Sequence, residues 1–219
     1  MTILSDGLST PNLSATEQCI NDDIVGALLA QNFLVVPRFL SLDEVKAIRA
    51  ECLLLWRDGS FKQARVGHGV QQQRREDLRN DFIFWLDETS GLPAVERYFN
   101  RLESLRQTIN RRLLLGLFEF EGHFAVYPPG HFYRAHVDQF ADSRSRQIST
   151  VLYLNEDWSP QDGGQLRLYR HNQDPASVLD VYPAAGTLVV FFSEQLWHEV
   201  LPAQRERLSL TGWFRTRGN

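Results

Sequence analysis

FEFEGHFAVYPPGHFYRAHVD, Phe118 to Asp138, sets two short runs rich in apolar side chains on either side of a Pro-Pro-Gly turn. Six more runs of this kind follow: ISTVLYLN (148–155), GGQLRLY (163–169), SVLDVY (177–182), GTLVVFF (186–192), LWHEV (196–200) and RLSLTGWFR (207–215). QDGG, NQDP and PAAG stand between several of them, and such Gly, Pro, Asn and Asp clusters break or turn a chain. Short strands at regular spacing with turn signals between them point to an all-β double sheet or barrel over residues 115–216.

The same stretch carries chemistry. His136 and Asp138 stand two residues apart, and on a strand such positions project from one face, so both can meet one metal ion. His198, 60 residues beyond Asp138 in an apolar strand-like run, offers a third ligand. Two histidines and one carboxylate make the facial triad of non-haem Fe(II) oxygenases, which leaves positions open for a chelating co-substrate and O2. Arg207, nine residues after His198, is a fixed cation suited to gripping a carboxylate through two parallel hydrogen bonds. His-X-Asp alone is common, and half-buried histidines with a surface arginine are the plain alternative. The combined spacing in a β-rich context selects the metal site.

Working back toward the N-terminus, residues 1–20 are rich in Ser, Thr, Asn and Gly and read as a loose tail. Asp22 or Asp23 caps a helix to about Gln31, with Ile24, Leu28 and Leu29 on one face, and FLVVP (33–37) is a short strand. Ser41 and Glu44 form a capping box for a helix to about Arg57, whose apolar face (Val45, Ile48, Cys52, Leu55, Trp56) makes Cys52 a core thiol. Residues 60–80 are long, polar and glycine-containing, as in lids and substrate flaps. Their RVGHGVQQQRREDLR segment (65–79) suits an acidic or extended partner, or is a solvated loop. FIFWL (82–86) is a strand, and Leu92 to about Leu114 a second long helix. The expected fold is therefore α+β and mainly β, a jelly-roll core (115–216) with a helical cover (21–114) packed on one sheet, all in one domain over 21–219.

The formal net charge of −4 argues against a general nucleic-acid binder. With two cysteines, no disulfide framework, no signal-peptide pattern and no apolar run of membrane-spanning length, a cytoplasmic monomer is expected. His68, His123, His131 and His171 lack ligand-like spacing and read as structural or solvent-exposed.

Over residues 22–216 the chain resembles the Fe(II)/2-oxoglutarate-dependent oxygenases, and among them the prolyl 4-hydroxylases of the oxygen-sensing type and their bacterial relatives. HVD (136–138), YLNEDW (153–158), the glycine pair of QDGGQLRLY (161–169), WHEV (197–200) and the Arg207-to-Trp213 pattern R-x-x-x-T-x-W carry the resemblance, with LRND (78–81) as a further element. It implies a double-stranded β-helix, with Fe(II) held by His136, Asp138 and His198. Arg207 would pair with the distal carboxylate of 2-oxoglutarate, assisted by the Tyr153 hydroxyl, and Tyr127 would reach the co-substrate near its chelating end. Tyr153 and Tyr127 are otherwise a core tyrosine and an aromatic before a turn. Trp213 and Tyr133 line a substrate pocket or simply fill the core. Asp81 and Arg146 are expected to pair and tether the loop to the barrel. The implied co-substrates are 2-oxoglutarate and O2, with ascorbate as an accessory. The implied partner is a protein or peptide bearing a target proline, elongation factor Tu being the first candidate by analogy with bacterial relatives. A free amino acid or other small substrate, and an oxygen- or 2-oxoglutarate-sensing module, are the alternatives.

Overall fold

The computed structural model describes residues 15–66, 73–87, 90–139, 145–170 and 174–217. Residues 1–14, His68, His171 and most of the Gly-His-Gly and triple-glutamine centre of the loop, on which sequence expectations fell, lie outside them.

All eight C-terminal runs form strands: β4 (Leu117–Tyr127), β5 (Tyr133–His136), β6 (Arg146–Tyr153), β7 (Leu166–Tyr169), β8 (Val178–Val181), β9 (Leu188–Phe192), β10 (Trp197–Val200) and β11 (Arg207–Thr216). Three more come from the N-terminal part: β1 (Phe33–Val36), β2 (Lys62–Gln63) and β3 (Phe82–Leu86). They build two antiparallel sheets, one in the order β1-β9-β6-β11-β4-β3-β2 and one in the order β5-β10-β7-β8. This is a jelly roll, and the expected strands β1 and β3, with the short β2, widen its larger sheet.

The helices α1 (Ala15–Gln31), α2 (Leu42–Arg57) and α3 (Pro93–Leu113) supply one side of the core. α1 is already helical at Ala15, inside the segment expected to be a tail. Asp22 is not a cap: it lies mid-helix, accepting from Gln18 and pairing with Arg112 of α3. Ile24, Val25 and Leu28 form the buried stripe, while Leu29 is exposed. The capping box at the start of α2 is present, with the Ser41 amide donating to Glu44 Oε2 at 2.8 Å. Cys52 is fully buried, and burial pushes its thiol far above the ordinary range. Among the described residues no helix is long and apolar enough to cross a membrane.

Strand alternation separates the two environments of the large sheet. On β11, Leu208, Leu210 and Phe214 pack toward the helices, whereas Arg207, Ser209, Thr211 and Trp213 face the smaller sheet and line a cavity. β4 does the same, with Phe120, Phe124 and Val126 on one side and Glu121, His123 and Tyr127 on the other. Gly212 and Gly122 are direct partners across this strand pair. A Cβ on Gly212 would lie 2.3 Å from Phe120 Cζ, so the glycine makes room for the ring.

Gly212→Ala is therefore an overpacking change that should cost about 1–3 kcal/mol. A lowered urea midpoint at constant m-value is expected, and an unshifted midpoint would contradict the packing described. His123, wedged between Trp85 and Trp213 with ring centroids 4.9 and 5.4 Å away, gives a second expectation. Burial, and then the charge of Arg79, push its imidazole down to about 3, against about 6.5 in an unfolded chain. Within that window the unfolded chain takes up a proton that the folded chain refuses, so stability falls as pH falls, by at most about 1.4 kcal/mol per unit. Denaturation across this range should show a shallower slope for His123→Phe; equal slopes would refute the assignment.

Candidate active site

His136 ends β5 and His198 sits in β10, and the two are direct cross-strand partners, which brings their ring centroids to 4.2 Å. Asp138 follows two residues after His136, its amide donating to the Ser193 carbonyl at 3.0 Å in the turn after β9. Nε2 of His136 and of His198 lie 3.6 and 3.7 Å from the same carboxylate oxygen, Oδ1 of Asp138. The three ligand atoms fall within 4.8 Å of one another.

The protonation pattern of this cluster follows from its neighbours. Nδ1 of His136 faces the Arg134 carbonyl at 2.8 Å and Nδ1 of His198 the Leu196 carbonyl at 3.0 Å. A carbonyl only accepts, so both Nδ1 atoms carry the proton and both Nε2 atoms turn a lone pair toward Asp138 Oδ1. Donor atoms that far apart, all lone pairs, are not hydrogen-bonded to one another; they suit a shared cation. Oδ2 of Asp138 accepts from Ser149 Oγ at 2.7 Å. Ser149 has only one proton to give, so Ser193 Oγ, 2.9 Å away, donates to it in turn. Burial acts to raise the Asp138 carboxyl, but the attraction of His198 and His136 in their protonated forms, together with the Ser149 hydrogen bond, outweighs it and holds the group below the usual carboxylate range. Burial and the neighbouring His136 push His198 down to about 4, against the pull of Asp138, so it stays neutral and able to ligate.

Arg207 opens β11 and is almost wholly buried, at 1% exposure. Its Nε donates to the Gly164 carbonyl at 2.9 Å, and Nη2 is buried without a hydrogen-bond partner. Gly164 has a φ of +67°, and a Cβ there would lie 2.9 Å from the Ala203 Cβ and 3.3 Å from Arg207 Cδ, so the glycine pair does steric work. The guanidinium carbon lies 5.1 Å from the ring centroids of both Tyr127 and Tyr153. The Tyr153 hydroxyl is likewise buried and unpartnered. Burial pushes it up to about 12 against the pull of Arg207, so it remains a neutral donor. An uncompensated buried cation is costly. A guanidinium nitrogen and a phenol left without partners inside one cavity fit a bound carboxylate, and the histidine–carboxylate set fits a divalent metal.

The cavity joining these groups measures about 990 Å³, within the size range of small-molecule sites. Tyr133 and Trp213 are on its wall, as is Arg146; Asp81 is not. The expected Asp81–Arg146 pair is absent because each side chain has a nearer partner. Asp81, fully buried, takes two hydrogen bonds from Arg79, which lies two residues back on extended chain. Arg146 lies across the Trp213 ring, 3.6 Å from its centroid, and its Nε reaches Glu121 of β4 at 2.7 Å. Sequence reading noted LRND without giving Arg79 a role, and missed Ser149, Glu121 and Trp85. Ser149 shares a strand face with Tyr153, so the period of β6 was its available signal; Arg79 had its i,i+2 spacing to Asp81, and Glu121 and Trp85 depend on cross-strand neighbours.

Residues 122–215 match the family model of the 2OG-Fe(II) oxygenase superfamily. A solved Pseudomonas putida prolyl-4-hydroxylase is 45% identical, with 90% of this chain and 100% of that chain aligned at a TM-score of 0.81. A Trichoplax adhaerens prolyl hydroxylase, solved with a peptide fragment of the hypoxia inducible factor oxygen degradation domain, is 25% identical over 93% of this chain and 94% of that chain, at a TM-score of 0.81. The hypoxia-inducible factor prolyl hydroxylase of Caenorhabditis elegans is 29% identical over 205 residues, which are 89% of this chain and 28% of that protein. The present chain thus spans under a third of that relative's length. By the fold, the placement of its buried ligand-type residues and these similarities, the chain belongs to the 2OG-Fe(II) oxygenase superfamily and, within it, to the prolyl 4-hydroxylases.

Proposed function

We propose that this protein is an Fe(II)- and 2-oxoglutarate-dependent dioxygenase that hydroxylates a prolyl residue in a protein segment. The observation that carries the reading is the joint one: two lone-pair-presenting histidines and a carboxylate share one cavity with a buried, half-satisfied arginine. His136, Asp138 and His198 would hold the metal, which with 2-oxoglutarate and O2 supplies the oxidising power to place one oxygen atom in a C–H bond, releasing succinate and CO2. Arg207 would meet the distal carboxylate of 2-oxoglutarate through Nη2, its orientation fixed by the Gly164 carbonyl, and Tyr153 would donate to the same carboxylate. Tyr127, packed beside Arg207, would border the co-substrate. Tyr133 and Trp213, on the cavity wall, would border the prolyl ring and keep water from the reacting carbon.

The form of the mouth favours an extended polypeptide over a small molecule swallowed whole. Lys62, Arg65 and Arg74 are exposed on its rim, so the entrance is basic although the chain as a whole is acidic. Such a rim attracts a segment with acidic residues beside the target proline. Elongation factor Tu, which rests on analogy with bacterial relatives, is the first protein to try, with ascorbate as an optional reductant in the assay.

The test is to incubate the protein with Fe(II), 2-oxoglutarate and a metabolite-depleted lysate, and to search for prolines carrying one added oxygen. One dominant hydroxyproline, absent with Asp138→Ala, is expected; succinate formed only when metabolites are restored would assign a small-molecule substrate instead. Asp138→Ala should also weaken Mn(II) binding at least about 100-fold, beyond the usual effect of losing a mere supporting residue. Arg207→Ala should raise the KM for 2-oxoglutarate about 100-fold, since hydrogen bonds to charged groups contribute about 1.5–3 kcal/mol each. The triple change Lys62→Glu, Arg65→Glu and Arg74→Glu should raise the KM for an acidic proline peptide roughly tenfold at low salt, and less at high salt. An unchanged KM would remove the rim from substrate recognition.

A further inference from the structure

A continuous stack runs from the end of the mouth segment to one residue of the metal-type cluster. Asp81 holds the Arg79 guanidinium flat through parallel hydrogen bonds of 2.8 and 2.6 Å. The guanidinium carbon then lies 4.2 Å over the Tyr133 ring. The Tyr133 ring stacks on the His136 imidazole, with centroids 3.6 Å apart and planes inclined by 17°. Two groups centred so closely over one ring cannot share a face, so Tyr133 is sandwiched between Arg79 and His136.

The backbone holds the same elements together. Arg79 bridges to Tyr133, the Arg134 amide donates to the Leu78 carbonyl at 2.8 Å, and the Phe132 amide donates to Asn80 Oδ1 at 2.8 Å. Residues 78–81 and 131–134 are therefore fastened to one another. The two histidines are supported quite differently. His198 is 5% exposed and packs edge-on against Phe191 of the core, at 4.8 Å. His136 is only half-buried; besides its bond to the Arg134 carbonyl it leans on the His198 ring and on the Tyr133 face.

We propose that Tyr133 and Arg79 are positioning residues for His136: the Asp81–Arg79–Tyr133 stack sets the plane of this imidazole and couples the mouth segment to the metal site. The inference rests on the reading of His136 as a ligand. A polypeptide that shifts Arg79 on docking would, through the stack, alter how firmly the metal is held before any chemistry occurs.

The test measures Mn(II) affinity and the visible absorption of the Co(II)-loaded full chain, both without substrate. Tyr133→Phe keeps the stack and should bind Mn(II) within about twofold of the parent. Tyr133→Leu removes it and should bind about tenfold or more weakly, with a shifted Co(II) spectrum, in line with the usual effect of losing a ligand's supporting partner. Arg79→Lys keeps a charge against buried Asp81 but loses the flat contact, and should fall between them. This variant also keeps the test open if Tyr133→Leu does not fold. Tyr133→Leu binding Mn(II) like the parent with an unshifted spectrum, or Tyr133→Phe losing affinity alongside it, would overturn the role of the stack. Arg79→Lys indistinguishable from the parent would remove Arg79 from it. A parent that bound no Mn(II) at all would instead refute the metal reading itself.

Discussion

A strand between two layers must satisfy two solvents at once, and β11 does so residue by residue. Its register with β4 and β6 puts Leu208, Leu210 and Phe214 into the helix-backed core, and by the same alternation puts Arg207, Ser209, Thr211 and Trp213 into the cavity. A slip of one residue would exchange the two sets, burying a guanidinium among the leucines and phenylalanines. Gly122 opposite Gly212 helps to fix the register, because only there is there room for the Phe120 ring. Packing on the helix side thus positions the charge on the cavity side.

The cavity is polar in a controlled way. Asp138 and Arg207, its two most deeply placed charges, are both almost wholly buried, and both are held by hydrogen bonds that fix direction without saturating the group. Glu121 and Arg146 neutralise one another across the face of Trp213. Among the described residues, the exposed charges lining the cavity at its rim, Lys62, Arg65 and Arg74, are basic, and charge placed there costs little and can act at a distance.

Much of this was legible in the chain itself, because the signals were local. Strand period, turn residues and a His-X-Asp pair each act over a few residues, and Ser41 with Glu44 writes its own helix start. Most of what was not legible depended on neighbours brought from afar, and one local pairing was overlooked. Asp81 was expected to reach Arg146, yet Arg79 was two residues away on the same face of an extended chain and needed no barrel to find it. The start of α1 was missed because Asp22 resembles a cap; its actual role, pairing with Arg112 of α3, is a tertiary contact. His123 gave no hint of its place, since the tryptophans around it come from two other strands.

The cluster of His136, Asp138 and His198 also joins two distant parts of the chain. Its members lie on either side of a 60-residue excursion, from Asp138 to His198, that contains β6 to β9. An ion held by all three would act as a removable staple across that excursion. Because such an ion would bind the folded chain and not the unfolded one, it would stabilise the fold by mass action, about 2.7 kcal/mol at a free metal level 100 times its Kd. Metal supply would then bear on the stability of the folded chain as well as on its readiness to react.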